Sequence, residues 1–191
     1  MTYQEQNFNQ LRGMLGFSDK LVETHLKLYS GYVANTNKLL EALKTLKPGT
    51  PEWSEVKRRF GWEFNGMRLH ELYFGNMSKK KTILPEDSEL FRLIVKTYGA
   101  RQACHDDFVN TGKSRGIGWV VLAYDQEADK LFNLWINEHD VGHLAGAIPL
   151  LVMDVFEHAF ITDYGLDRAA YIDAFVKAID WDIVQKRFEK I

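Results

Sequence analysis

From Ser18 onward, the apolar positions Leu21, Leu28, Tyr32 and Leu39 recur at the spacing of one helical face. Ser18 supplies an N-cap and Asp19 a first-turn carboxylate, so the pattern predicts a helix over 18–43. It should stop near Lys47-Pro48-Gly49-Thr50-Pro51. A second helix is predicted from Pro51-Glu52 past His70 to Phe74, with Gly61 as a candidate interruption. Two long helices joined by a Pro/Gly turn make an antiparallel hairpin. Residues 75–85 are polar, contain Lys79-Lys80-Lys81 and end in Pro85. They read as an interdomain connection whose lysines are solvated.

The second half is patterned differently. Helices are predicted over 86–99 and through Phe108, followed by Gly116-Ile117-Gly118. Three apolar or aromatic runs, 119–124, 130–136 and 147–152, then read as antiparallel strands, with Asp125-Gln126-Glu127-Ala128-Asp129 as a hairpin loop. Beyond Asp154 the pattern returns to helix, with Tyr171, Phe175, Ala178 and Ile179 on one face. The expected class is α+β. A helical-hairpin domain spans 1–84, and an α/β domain with a three-stranded antiparallel sheet spans 85–191.

Composition narrows the function. In 191 residues the chain is 46% hydrophobic and 26% charged, as an ordinary globular protein is. A net charge of −2 argues against a nucleic-acid partner. No apolar stretch is long enough to cross a membrane, and the polar start is unlike a secretory signal, so a cytoplasmic location is expected. Cys104 is the only cysteine, which excludes an intrachain disulfide and a thiolate metal cage.

Candidate chemistry centres on Asp154-Val155-Phe156-Glu157-His158-Ala159-Phe160. Read as helix, the segment puts Asp154 and His158 on one face at the end of an apolar run. A buried carboxylate needs a partner, which either an Asp–His ion pair or a metal ion would provide. Of the six histidines, His25 and His70 lie in the two long helices, whose antiparallel packing could bring them together. Each alone is more commonly a hydrogen-bonded packing residue than a ligand. With Asp154 and His158 they form a three-histidine, one-carboxylate set that suits iron or manganese, and zinc fits the ligand types too.

Four segments share a resemblance. Asp154–Phe160, followed by Asp163-Tyr164, resembles the Asp-Val-Trp-Glu-His-Ala-Tyr signature of the iron/manganese superoxide dismutases. Tyr32-Val33-Ala34-Asn35-Thr36-Asn37 resembles that family's first-helix segment. Phe64-Asn65-Gly66-Met67-Arg68-Leu69-His70 resembles the stretch leading to its second ligand, and Gly116-Ile117-Gly118-Trp119 the entry to its sheet. The likeness spans roughly residues 20 to 190, in the family's order. It implies metal ligation by His25, His70, Asp154 and His158. It also implies disproportionation of superoxide to dioxygen and hydrogen peroxide, with the metal alternating between its trivalent and divalent states.

The resemblance implies further roles, and the chain departs from some of them. The amide that holds the centre's solvent comes in many iron forms from a glutamine four residues before the second histidine, here Gly66. In manganese forms it comes from the loop after the sheet, where this chain has His139. His139 is therefore expected to hydrogen-bond that solvent, with Gly66 leaving space for its imidazole. With neither glutamine present, the family's usual rule for telling iron from manganese forms does not apply; iron is favoured as the cofactor, with manganese or either metal next, one ion per subunit. Tyr32 matches the gateway tyrosine, but at seven residues from His25 where most relatives have eight, implying loss of a π-type bulge. Tyr29 and Ile161 stand at the positions of a His–Tyr bridge across the family's dimer, so that bridge should be absent. Glu157 is expected to reach His158 of a neighbouring subunit, in a homodimer or homotetramer. Trp119 and Phe156 should wall the site, and Arg168 aligns with an arginine near the access funnel. His105 and His143 read as surface or packing residues. The alternatives are a metal-dependent hydrolase on the same ligands, with Glu157 as base, and a non-catalytic protein that keeps the dismutase-like fold.

Overall fold

A computed structural model describes residues 2–191. The first helix, α1 (Asp19–Thr45), is capped by Ser18, whose Oγ accepts the Leu21 amide at 3.1 Å. The Asp163 carboxylate accepts from both the backbone N–H and the hydroxyl of Ser18, at 2.7 and 2.6 Å. The start of α1 is thereby tied to the segment that follows the candidate site. α1 runs without a π-type interruption, so His25 and Tyr32 share one face, as their spacing implied. α2 (Pro51–Gly75) begins with Thr50 as cap and Pro51 in the first turn, where proline's missing N–H costs nothing. It passes through Gly61 unbroken, because packing along α1 outweighs one glycine's modest cost.

The connection to the second half is less solvated than its composition suggested. Lys79, Lys80 and Lys81 are exposed, but Asn76, Met77 and Leu84 are buried. Asn76 donates to the carbonyls of Tyr73 and Val152 and accepts from the Val152 amide at 2.9 Å, stitching the end of α2 to the sheet. α3 (Glu89–Tyr98) ends at Gly99, whose φ of +81° closes the helix in a left-handed cap. α4 (Arg101–Lys113) extends beyond Phe108.

The sheet has the order β2-β1-β3, all antiparallel, with β1 (Gly118–Asp125) central between β2 (Lys130–Asn137) and β3 (Ile148–Asp154). Gly118 is required at the sheet's entry: its φ is +142°, and a Cβ there would lie 1.9 Å from the Ile136 carbonyl oxygen. β3 ends at Asp154, which pairs with Trp119. The segment holding Asp154 and His158 is therefore a strand end followed by a 3-10 turn (Glu157–Ala159), not the helix its i, i+4 spacing suggested. Three helices complete the chain: α5 (Ile161–Tyr164), α6 (Arg168–Ala178) and α7 (Trp181–Phe188).

One contiguous core runs through both halves, from Leu21, Tyr32 and Met67 on the hairpin to Trp119, Val152 and Phe175 on the sheet and α6. Among the described residues, no helix is long and apolar enough to cross a membrane.

Candidate metal centre

Three imidazoles converge on one carboxylate oxygen. Asp154 Oδ2 lies 3.1 Å from His25 Nε2, 3.2 Å from His158 Nε2 and 3.6 Å from His70 Nε2. The four ligand atoms all lie within 4.8 Å of one another. Asp154 and His70 are completely buried and His25 nearly so, while the His158 side chain keeps 26% of its exposure.

Local structure explains the convergence. His25 lies on the inner face of α1, and His70 sits across from it on antiparallel α2. Asp154 ends β3, where the Phe156 amide donates to Oδ1 at 2.8 Å and leaves Oδ2 for the imidazoles. Tyr171 donates its hydroxyl to the Asp154 carbonyl at 2.6 Å and so fixes the strand end from α6. The 3-10 turn then brings His158 back over the carboxylate.

The electrostatics favour a cation. Burial alone would raise the Asp154 carboxyl, but the charge and hydrogen bond of His158 and the hydrogen bond of His25 outweigh it, holding Asp154 well below the usual carboxylate range. Burial lowers His25 despite the attraction of Asp154. Burial, with the nearby charge of His25, pushes His70 well below its ordinary value. His70 Nδ1–H donates to the Gly66 carbonyl at 2.6 Å, which fixes the tautomer and leaves Nε2 with a lone pair. That Nε2 is buried and has no hydrogen-bond partner. A lone pair facing a carboxylate oxygen in the interior is costly unless a cation lies between them. All-nitrogen-and-oxygen donors with one carboxylate fit iron or manganese.

His139, predicted at the solvent position, is fully buried beside this cluster. Trp119 Nε1–H donates to its Nδ1 at 3.0 Å. Indole can only donate, so Nδ1 accepts and the neutral ring carries its proton on Nε2. Nε2 lies 2.8 Å from the Tyr32 hydroxyl. Burial, only partly opposed by Asp154, lowers His139 to about 4, so the ring is neutral near pH 7. Tyr32 stacks on His70 with ring centroids 5.1 Å apart, and burial raises its phenol far above the usual range.

The space at Gly66 goes to a different ring from the one expected. A Cβ on Gly66 would lie 2.6 Å from Tyr32 Cδ1, so the glycine admits the tyrosine and not the His139 imidazole. Trp119 and Phe156 both touch the cluster: Trp119 lies 4.9 Å from His70, and Phe156 stacks on His158 at 5.1 Å.

The other predicted residues lie further out. Glu157 is exposed next to His158. Arg168 donates to the carbonyls of Ser114 and Gly116 at 2.8 and 2.7 Å, bracing the turn into β1. Tyr29 donates to Glu71 at 3.0 Å and accepts from the Gln6 amide, and Ile161 is half exposed. His105 is a surface residue paired with Asp106. His143 does more than its surface reading allowed, donating from Nε2 to the His139 carbonyl at 2.9 Å.

Sequence reasoning missed Trp62, Glu138 and Tyr171. Trp62 lies 4.5 Å from the His139 ring, and its indole donates to Glu138 at 3.0 Å. The signal was present, since Trp62, Gly66 and His70 recur every four residues on one face of α2. Tyr171 carried no comparable signal: it read only as apolar periodicity.

The chain matches the family described as iron/manganese superoxide dismutases, C-terminal domain, over residues 86–187. It is similar to a superoxide dismutase [Fe] of Aquifex aeolicus, 35% identical over 92% of this chain and 85% of that protein. A superoxide dismutase [Fe] of Cupriavidus metallidurans is 33% identical over 92% of this chain and 90% of its own length. A superoxide dismutase [Mn] of Haloarcula marismortui is 37% identical over 65% of this chain and 61% of its own. With most of its length aligned to such relatives and a His–His–Asp–His cluster at its centre, the chain belongs to the iron/manganese superoxide dismutase family.

Proposed function

We propose that this chain disproportionates superoxide to dioxygen and hydrogen peroxide, with His25, His70, Asp154 and His158 holding one iron or manganese ion. The observation that carries this reading is the orphaned Nε2 of His70 beside Asp154 Oδ2, 3.6 Å apart in a fully buried site. When bound there, the ion would supply the one-electron redox chemistry that superoxide disproportionation needs.

The protein's own residues supply charge, orientation and protons. Asp154 stays ionised and offsets the ion's positive charge, while the buried imidazoles stay neutral and present lone pairs. His139 carries its proton on Nε2 because Trp119 occupies Nδ1, so it donates to the Tyr32 hydroxyl and leaves the phenol's own O–H free to donate toward the centre. Tyr32 keeps its proton at neutral pH and, accepting from His139, is held in place as the group that can give its proton toward the centre. Trp119 and Phe156 exclude bulk water, which strengthens each of these interactions. Arg168, aligned with the funnel arginine, would add positive potential for an approaching anion.

The segments 1–84 and 85–191 act as two halves, each giving two ligands, so the ion also ties them together. Iron is favoured, since the relatives similar over 92% of this chain carry the name superoxide dismutase [Fe], whereas the manganese-named one aligns over 65%. Exposed Glu157 next to partly exposed His158 supports contact with a second subunit in a cytoplasmic homodimer or homotetramer. A hydrolase on the same ligands would need a carboxylate base at the centre, and its candidate Glu157 lies exposed.

The test is elemental analysis of purified protein together with superoxide assays after separate loading with iron and manganese. Activity proportional to iron content is the expected result. Protein fully loaded with either metal yet inert toward superoxide would overturn the reading.

A further inference from the structure

On the far side of the sheet from the hairpin lies a cavity of about 400 Å³, within the ~300–1,000 Å³ range of small-molecule sites. Its wall is apolar, built from Ile94 on α3, Phe108 on α4, Leu122 and Leu151 on the sheet, and Val176 on α6. Lys81, Arg101 and Lys177 also border it, the other polar groups there are Thr82, Cys104, His105 and Asn133, and no carboxylate contributes to the lining. None of these three cations forms an ion pair or side-chain hydrogen bond among the described residues, whereas most of the other arginines do. Arg101 lies over the Trp181 ring at 5.7 Å, which keeps its guanidinium at the cavity. Lys81 and Lys177 also border a neighbouring depression whose one carboxylate is Asp173, with which neither pairs.

We infer that this cavity binds a single-chain amphipathic organic anion, with its apolar chain against Phe108, Leu122 and Leu151 and its charged head among Lys81, Arg101 and Lys177. The apolar wall accounts for the chain, because burying it removes hydrocarbon from water. The unpaired cations account for the sign of the head, because a cationic amphiphile of equal length would meet three like charges. The site lies apart from the metal centre and does not depend on the dismutase reading.

Calorimetric titration of the intact protein with monomeric decanoate tests this, with decyltrimethylammonium as the cationic counterpart. Saturable one-to-one binding of decanoate, about tenfold tighter than the cationic amphiphile, is expected. Lys81→Glu, Arg101→Glu and Lys177→Glu combined should abolish that preference while superoxide assays and melting temperature confirm an intact fold. Val176→Phe, which fills the cavity from its partly exposed wall, should independently weaken decanoate binding. Titration without saturation, equal binding of the two amphiphiles, or unchanged binding by the charge-reversed protein would overturn the inference. So would binding to anionic phospholipid vesicles in place of monomeric decanoate.

Discussion

The hairpin delivers His25 and His70 from the middle of long helices, whereas the second half delivers Asp154, His158 and His139 from a strand end, a 3-10 turn and a loop. The helical residues are positioned by periodicity and by the packing of α1 on α2, which many residues share. The irregular ones are each positioned by a few identifiable hydrogen bonds: Phe156 to Asp154, Tyr171 to the Asp154 carbonyl, Trp119 and His143 to His139. Single substitutions should therefore move the second group more readily than the first. Removing a group at the point where both meet should cost most.

Asp154→Asn is that case. It removes the only carboxylate among the proposed ligands but keeps the shape. Metal content and superoxide activity should both fall to background, by ~10³-fold or more in activity. Melting temperature should fall with metal content, as should that of the native protein after chelation, because the ion binds only the folded state. A variant that kept stoichiometric metal and activity would remove Asp154 from the centre.

His139 separates the two regions more finely. His139→Ala should lower activity by roughly 10–100-fold, the range for residues supporting a metal's ligands, with metal still bound. It should also change the acid limb of stability. In the metal-free protein His139 titrates near 4, against an ordinary value of 6.5, so it binds a proton more weakly folded than unfolded. Its contribution is complete above the unfolded value and is lost as pH falls from about 6.5 toward 4, by up to ~3 kcal/mol. His25 and His70 are shifted the same way and should produce acid destabilisation of their own. Denaturant melts of apoprotein across this range should show a shallower acid loss for His139→Gln than for the native chain. An identical slope would mean that His139 is not buried neutral.

Gly66→Ala tests the helical region. Alanine should strengthen α2 by up to ~1 kcal/mol, but its Cβ would sit 2.6 Å from the Tyr32 ring. The ring has to move, and overpacking of this kind costs ~1–3 kcal/mol. The expected result is a small net loss of stability with a clear loss of activity, as Tyr32 shifts away from His139. Unchanged activity would show that the tyrosine's position is not critical.

How much was legible follows the same division. Ser18, the Pro48–Pro51 turn and the apolar stripe of α1 marked the hairpin because helix signals are local. The three strands were readable from their apolar runs, and the four residues that cluster were picked out through the family's segments. The strand end at Asp154 was not legible: an i, i+4 pair fits a helix equally well, and the choice depends on pairing with Trp119 far away in sequence. The tenant of the space at Gly66 was also hidden, since a missing side chain names no neighbour. The His143 contact was invisible because a loop's hydrogen bonds carry no periodicity.

That contact gives the smallest predicted effect and the sharpest comparison of loop with helix. His143 is exposed, yet its Nε2–H holds the His139 carbonyl, within a loop otherwise closed by the Asn137–Val141 bridge and by Trp62 on Glu138. Removing the imidazole leaves the other two restraints and the Trp119 bond in place, so His139 should stay buried but become less well fixed. His143→Ala should therefore lower turnover only a few-fold, with metal content and melting temperature unchanged, because an exposed hydrogen bond contributes only ~1 kcal/mol or less. His143→Gln, which can still donate to the carbonyl, should recover most of the activity. Adding Trp62→Phe removes the clamp from α2, and the two losses should exceed their sum if both act through the loop. Strictly additive effects in that double-mutant cycle would mean that the helix positions His139 independently of its own loop.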